Sequence, residues 1–218
     1  MIGEAVRYPM EGEDALKRIL IGGILVITSF LIIPAIILQG YYLRVLAAAS
    51  DRDAAPPAFE EWGAMLVEGV KLIVVALVYS LVLVVATVLV AFTGEASGIA
   101  VLRAFAVLFA ILLAIGLAYV LPIAMTNLAR DGSIGSAFDF DRIRAVGNRS
   151  EYAVAWALAI VVGIVGGMIA GVLSLVLVGL FLYFYVQVAV YYLIGRGYAD
   201  ALGSEPVSEP SPDVETVA

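Results

Sequence analysis

The stretch Ala153–Ile194, AVAWALAIVVGIVGGMIAGVLSLVLVGLFLYFYVQVAVYYLI, runs for 42 residues without one charge. As a single helix rising about 1.5 Å per residue it would be about 63 Å long. That is about twice the ~30 Å hydrocarbon thickness of a bilayer. The block should therefore fold back on itself. Its weakest helical point is Gly171–Gly179, where Ser174 and two Gly interrupt a β-branched run. The reading is two spans, 152–172 and 177–195, joined by a tight turn.

Working outward, three more apolar stretches meet the length of a span: 19–42, 70–92 and 99–127. Composition agrees. The chain is 63% hydrophobic and 14% charged, whereas soluble domains are about 45–50% apolar and about 25% charged. The fold expected is all-α, a polytopic bundle of about five transmembrane spans with short interfacial helices before spans two and four. Residues 1–18 form an amphipathic lead and 19–198 the transmembrane domain. Residues 199–218, with five acids, three Pro and no base, form a disordered acidic tail.

The chemistry the chain lacks narrows its function. With no Cys and no His, thiol nucleophiles, Cys/His zinc sites and histidine acid–base catalysis are excluded. No phosphate-binding Gly loop, dinucleotide fingerprint or nucleophile elbow is present. Asp139, Asp141 and Glu151 lack the spacing of a cation loop and read as a solvated acidic face. No ionisable residue sits in the middle of a span, where ion-coupled carriers need one. The expectation is a protein that is not an enzyme and uses no cofactor or metal. The net charge of −7 comes without any Lys/Arg cluster, which argues against nucleic-acid binding; the acidity reads either as a partner-binding face or as adaptation to a salty cytoplasm.

Two loops look alike. One reads Arg52-Asp, a turn, Ala58-Phe59-Glu60, then Trp62; the other reads Arg130-Asp, a turn, Ala137-Phe138-Asp139. Each is expected to form a short amphipathic helix at the interface. In the first, Phe59, Trp62 and Leu66 share a face, with Glu60 at the favourable end of the helix dipole. In the second, Ser136 and Asp139 resemble a cap. The likeness raises a duplicated two-span unit.

Within the spans, Ala155, Ala159, Gly163, Gly167 and Gly171 repeat every four residues and predict a bare face for close helix packing, internal or between copies. Pro34 and Pro122 are expected to kink spans one and three. Tyr79, Ser80, Thr87, Gln39 and Gln187 are the polar candidates for a lined path. Five spans put Arg7, Lys17, Arg18 and Arg103 on one side and eight Lys/Arg on the other. The positive-inside rule then places the N-terminus outside the cell membrane and the C-terminus in the cytoplasm.

Tyr8-Pro9, Arg18-Ile-Leu-Ile-Gly22-Gly23, Gly40-Tyr41 with Arg44, Pro57-x-Phe59 with Trp62 and Gly69, Ala137-Phe138-Asp139 and Gly195-Arg196 together resemble the prokaryotic family called domain of unknown function 4013. The acidic, Lys-poor version resembles haloarchaeal members. The resemblance implies an integral membrane protein and carries over no functional residue. Two functions stay open. One is a scaffold, assembly or accessory protein whose partners are the lipid bilayer and a membrane protein or a second copy. The other is a small transporter or channel for an uncharged or amphiphilic solute.

Overall fold

The computed structural model describes residues 1–96 and 100–203, and every regular element among them is helical. α1 (Ile2–Arg7) and a 3₁₀ turn (Tyr8–Met10) lead into α2 (Ala15–Ile27) and α3 (Ile32–Ser50). α4 (Trp62–Ala96) and α5 (Ala100–Asp131) follow. A second 3₁₀ turn (Ile134–Phe138) and α6 (Phe140–Gly147) precede α7 (Ser150–Leu173), a third 3₁₀ turn (Ser174–Val176) and α8 (Val178–Gly203). Five helices, α3, α4, α5, α7 and α8, are long and apolar enough to cross a membrane.

The charge-free block folds back at Ser174–Val176, where Leu177 takes a φ of 60°. The Ser174 hydroxyl donates to the Ala170 carbonyl at 2.7 Å, beside the Ser174 backbone N–H that caps the same oxygen as the helix ends. Gly179 lets the turn close, because a Cβ there would overlap that same carbonyl oxygen.

The stretch 19–42, expected to be one span, is two helices. The Thr28 and Ser29 hydroxyls donate to the Ile24 and Leu25 carbonyls at 2.8 and 2.7 Å. Leu31 is extended. Pro34 then falls in the first turn of α3, where its missing N–H costs little. It starts a new helix and does not kink an old one. Pro122 does lie inside α5.

α2 and α3 form a hairpin. A Cβ on Gly12, just before α2, would stand 3.3 Å from Ala55 Cβ, just after α3. Gly22 and Gly23 of α2 pack under Phe184 and Phe181 of α8. Tyr42 of α3 stacks on Tyr191 with centroids 4.9 Å apart. The molecule is thus three helical hairpins, α2–α3, α4–α5 and α7–α8, with their open ends together. Arg130 meets Asp51 at 3.4 Å, and Lys71 donates to the Gly132 carbonyl at 2.7 Å. Arg52 meets Asp200 at 2.7 Å, and the Tyr8 and Tyr192 rings lie 4.2 Å apart.

This geometry corrects three expectations. The N-terminal segment lies against the last helix, so the two ends of the described chain share one side of the bundle; counting 19–42 as one crossing had separated them. No interfacial helix precedes α4. Residues 51–61 form an irregular strap, because Pro56 and Pro57 supply no backbone donors and Arg52 and Glu61 take φ of 65° and 54°. The predicted tail starts too early, since α8 continues to Gly203 with Asp200 paired and Ala201 buried. The rest of that tail, 204–218, lies outside the described residues.

Burial sorts the helices. In α3 and α8 half of the most apolar window is buried, against 11% in α4 and none in α5. α3 and α8 are the axis of the bundle, and the outer part of the α4–α5 hairpin is an arm. Around the axis Tyr41, Tyr152, Tyr198 and Phe184 are fully buried. The Tyr198 hydroxyl donates to the buried Asn127 Oδ1 at 2.6 Å.

Candidate functional site

The two Ala-Phe-acid loops join successive hairpins at the shared end, α3 to α4 and α5 to α7. Each is held by a tyrosine. Phe59 stacks on Tyr41 with centroids 4.0 Å apart and planes 10° apart, and the Tyr41 hydroxyl donates to the Pro57 carbonyl at 3.2 Å. Phe138 stacks on Tyr79 at 5.5 Å and 7°, and the Tyr79 hydroxyl donates to the Ala137 carbonyl at 2.9 Å. In both, one aromatic side chain covers the loop's Phe and satisfies a loop carbonyl beside it. The tyrosines come from non-equivalent helices: α3 enters the first loop, while α4 only flanks the second. That is not the pattern of a copied two-span unit.

Ion pairs lock the same joints. Arg44 grips both Glu68 oxygens at 2.7 and 3.1 Å and donates to the Glu60 carbonyl at 3.0 Å. The Glu60 side chain itself is exposed. Trp62 lies 5.8 Å from Phe59. In the second loop Asp139 caps α6 by accepting from the Arg142 N–H at 3.0 Å. Arg142 meets Asp131 at 2.7 Å, and this hydrogen bond holds its guanidinium above the ordinary arginine value.

The small-residue face divides. Ala155 is buried under Gly197, Ala159 is buried, and a Cβ on Gly163 would stand 3.5 Å from Val190. Gly167 and Gly171 have nothing within 4 Å of a built Cβ. Instead Gly166 meets Val186 and Ala170 meets Gly179. The cause is helical geometry: at about 100° per residue, a four-residue repeat drifts about 40° per step and rotates off a straight interface. The closest backbone contact elsewhere is one that small-residue spacing did not reveal. Gly40 lies against the Met65 carbonyl and Gly69 against the Ile36 carbonyl, so α3 and α4 cross with no side chain between them.

Two clefts open between the hairpins. One, of about 810 Å³, runs from the α2–α3 tip to α4 and α5 and includes Ser29, Gln39 and Ser80. The other, of about 390 Å³, lies between α5, α7 and α8 and includes Gln187. Met125 and Tyr191 border both. The polar candidates are mostly engaged: Ser80 donates to Ala76 O at 2.7 Å, Thr87 to Leu83 O at 2.8 Å and Gln187 to the Tyr183 hydroxyl at 3.0 Å. Among the described residues no three His, Cys, Asp or Glu side chains gather as metal ligands. The arrangement can clamp helices and hold apolar matter.

Sequence reasoning found the two loop phenylalanines but did not pair them with tyrosines: it read Tyr79 as a polar candidate for a lined path and Tyr41 as part of a motif, and it missed the Arg44–Glu68 pair. Twenty-four residues separate Arg44 from Glu68, and no local pattern links them.

A family model described as a protein of unknown function, DUF4013, matches residues 23–175. No curated protein and no solved structure matches the chain.

Proposed function

The chain belongs to the DUF4013 family, and from that premise we propose that it is a non-catalytic scaffold or accessory protein of a membrane, working through helix contacts with a membrane partner. The arm carries this reading. From Leu81 to Phe92 and from Val101 to Ile115, large apolar side chains of α4 and α5 are exposed, among them Leu89, Phe92, Phe105 and Phe109. The arm's base is anchored by both loop joints, and beyond it the arm offers its faces to another membrane-embedded surface. In lipid such association runs on side-chain packing. The test is photo-crosslinking from Phe105 in native membranes, followed by purification. One stoichiometric partner is the expected product; a chain that crosslinks only to lipid and runs as a monomer contradicts the reading.

A second reading, passage of an uncharged or amphiphilic solute, is favoured by the cleft of about 810 Å³. Solute efflux from proteoliposomes that Ser80→Trp abolishes would select it.

Orientation belongs to the same proposal. Of the 12 Lys and Arg residues, all but Arg103 lie toward the shared open end. The positive-inside rule makes that end cytoplasmic. α2, 13 residues and about 20 Å long, is too short to cross about 30 Å. The α2–α3 hairpin therefore dips in and returns, leaving four crossings. Because the chain has no Cys, single cysteines at Gly3 and Ala58 report cleanly. Both should react with an impermeant maleimide only after lysis; labelling of either in intact cells sinks the orientation.

A further inference from the structure

At the shared end, a pocket of about 310 Å³ opens between the N-terminal segment, the start of the first loop strap and α8. Its walls include Arg7, Arg52 and Arg196. Arg52 is committed to Asp200 at 2.7 Å. Arg7 and Arg196 have no carboxylate within 4.0 Å among the described residues. Arg196 stands 6.0 Å over the Tyr192 ring, which itself lies on Tyr8. The two guanidiniums thus border one pocket lined by an aromatic pair.

The pocket also has acids, and their engagement matters. Glu4 is held by the amino terminus at 3.1 Å. Asp53 and Glu11 have no cation within 4.0 Å among the described residues either, so Arg7 and Arg196 count as the pocket's uncommitted donors and not as an excess of positive charge. Glu11 is exposed. Tyr8 also lines the pocket, is 3% exposed, and its hydroxyl has no hydrogen-bond partner among the described residues. A buried hydroxyl without a partner costs about 1–3 kcal/mol, so a site that leaves one open is a site for a ligand acceptor.

Beside the pocket the N-terminal segment exposes apolar side chains. Ile2 and Val6, four residues apart on α1, are 45% and 46% exposed, and Met10 is 55% exposed. A pair of cations next to such a row is the arrangement that sits at a headgroup layer, apolar side chains in the acyl boundary and charges among phosphates.

We propose that this pocket binds the phosphate of an anionic lipid headgroup, with Arg7 and Arg196 as its charge partners and the Tyr8 hydroxyl as a donor, while the acyl chains run past Ile2 and Val6. Phosphate is the chemistry recognised, and the bilayer is its source. Each guanidinium near a phosphate layer is worth roughly fivefold in affinity, so losing both costs roughly thirtyfold.

The full chain, purified in detergent, tests this by thermal melting with three additives: a short-chain phosphatidylglycerol, the matching phosphatidylcholine, and inorganic phosphate. The expected result is a rise in Tm with phosphatidylglycerol that is saturable in the wild type and needs about thirtyfold more lipid in the Arg7→Gln/Arg196→Gln double variant. An equal rise with inorganic phosphate alone overturns the lipid source. An equal rise with phosphatidylcholine overturns the anionic preference, and equal curves for wild type and variant overturn the site. Should the double variant fail to fold, native mass spectrometry of wild-type protein from an equimolar lipid mixture decides instead. Enrichment of one phosphatidylglycerol per chain is expected, and equal adducts of both lipids reject the proposal.

Discussion

The two joints between hairpins carry the same sequence signature and are built differently. The first is a strap without regular structure, held from outside by Arg44, by Phe59 against Tyr41, and by Phe184 with its ring 6.0 Å from Phe59. The second is largely helical, capped from within by Asp139, and its Phe138 stacks on Tyr79. What the two share is tertiary: a tyrosine that stacks on the Phe and donates to a neighbouring carbonyl. The Ala-Phe-acid pattern thus encodes a docking point for a tyrosine on the bundle, and leaves secondary structure to the flanking residues. Prolines make the first an extended strap, and Asp139 makes the second a helix start.

Substitution of glycines gives the largest expected separation of the joints. Gly40→Val drives a side chain into the Met65 carbonyl at the crossing the first loop closes. Backbone cannot give way there, so the variant should fail to yield monodisperse protein in detergent chromatography. Gly147→Ala, beside the second loop, places its Cβ 3.5 Å from Ile123 Cδ1, an ordinary contact, and ends a helix with a better helix former. It should melt within about 1 kcal/mol of wild type. If both variants fail alike, the joints are not differently built.

The arginines give the next effect. Arg44→Ala strands Glu68, half-buried at 30% exposure, and releases the Glu60 carbonyl. A loss of about 2–3 kcal/mol in denaturant unfolding is expected, below the 3–5 of a fully buried pair because water reaches both partners. Arg142→Ala removes pairs that are more than one-third exposed and should cost about 1 kcal/mol or less. The tyrosines follow. Tyr79→Phe deletes a buried hydrogen bond at 2.9 Å and should cost about 1 kcal/mol. Tyr41→Phe deletes a longer, partly buried one at 3.2 Å and should cost less. The reverse order would mean that the strap leans on its hydroxyl more than on its stack.

How much of this was legible follows from the range of each signal. The fold-back near Ser174 could be read because length and charge are local quantities: 42 charge-free residues are too long for one span. The break at Thr28–Leu31 was equally local, with two hydroxyl residues followed by Pro34, yet the apolar count around it outweighed it. A window average does not register which side chains can take over helix carbonyls. That one misread break reversed the relation of the two ends of the described chain. Phe59 and Phe138 stood out through the repeated motif, but Tyr41, Tyr79, Arg44 and the pocket around Tyr8 and Arg196 depend on contacts between distant segments. No periodicity carries those.

The smallest expected effect bears on the face that periodicity overstated. By spacing alone, Gly163, Gly167 and Gly171 form one packing stripe, and a Leu at Gly167 would destroy it. By geometry, α7 turns Gly166 and Ala170 toward α8 and leaves Gly167 open. Gly167→Leu should then leave the monomer's stability within about 0.5 kcal/mol, with any change toward a gain from helix propensity. Gly166→Leu, one residue away, meets the Val186 side chain and should cost about 1–3 kcal/mol through overpacking. The pair separates internal packing from contact between molecules. A Gly167→Leu protein that keeps its Tm but loses a crosslinked dimer in membranes would show that the open half of the stripe serves a second copy. A protein that loses its Tm would show that α7 and α8 are rotated from the packing described.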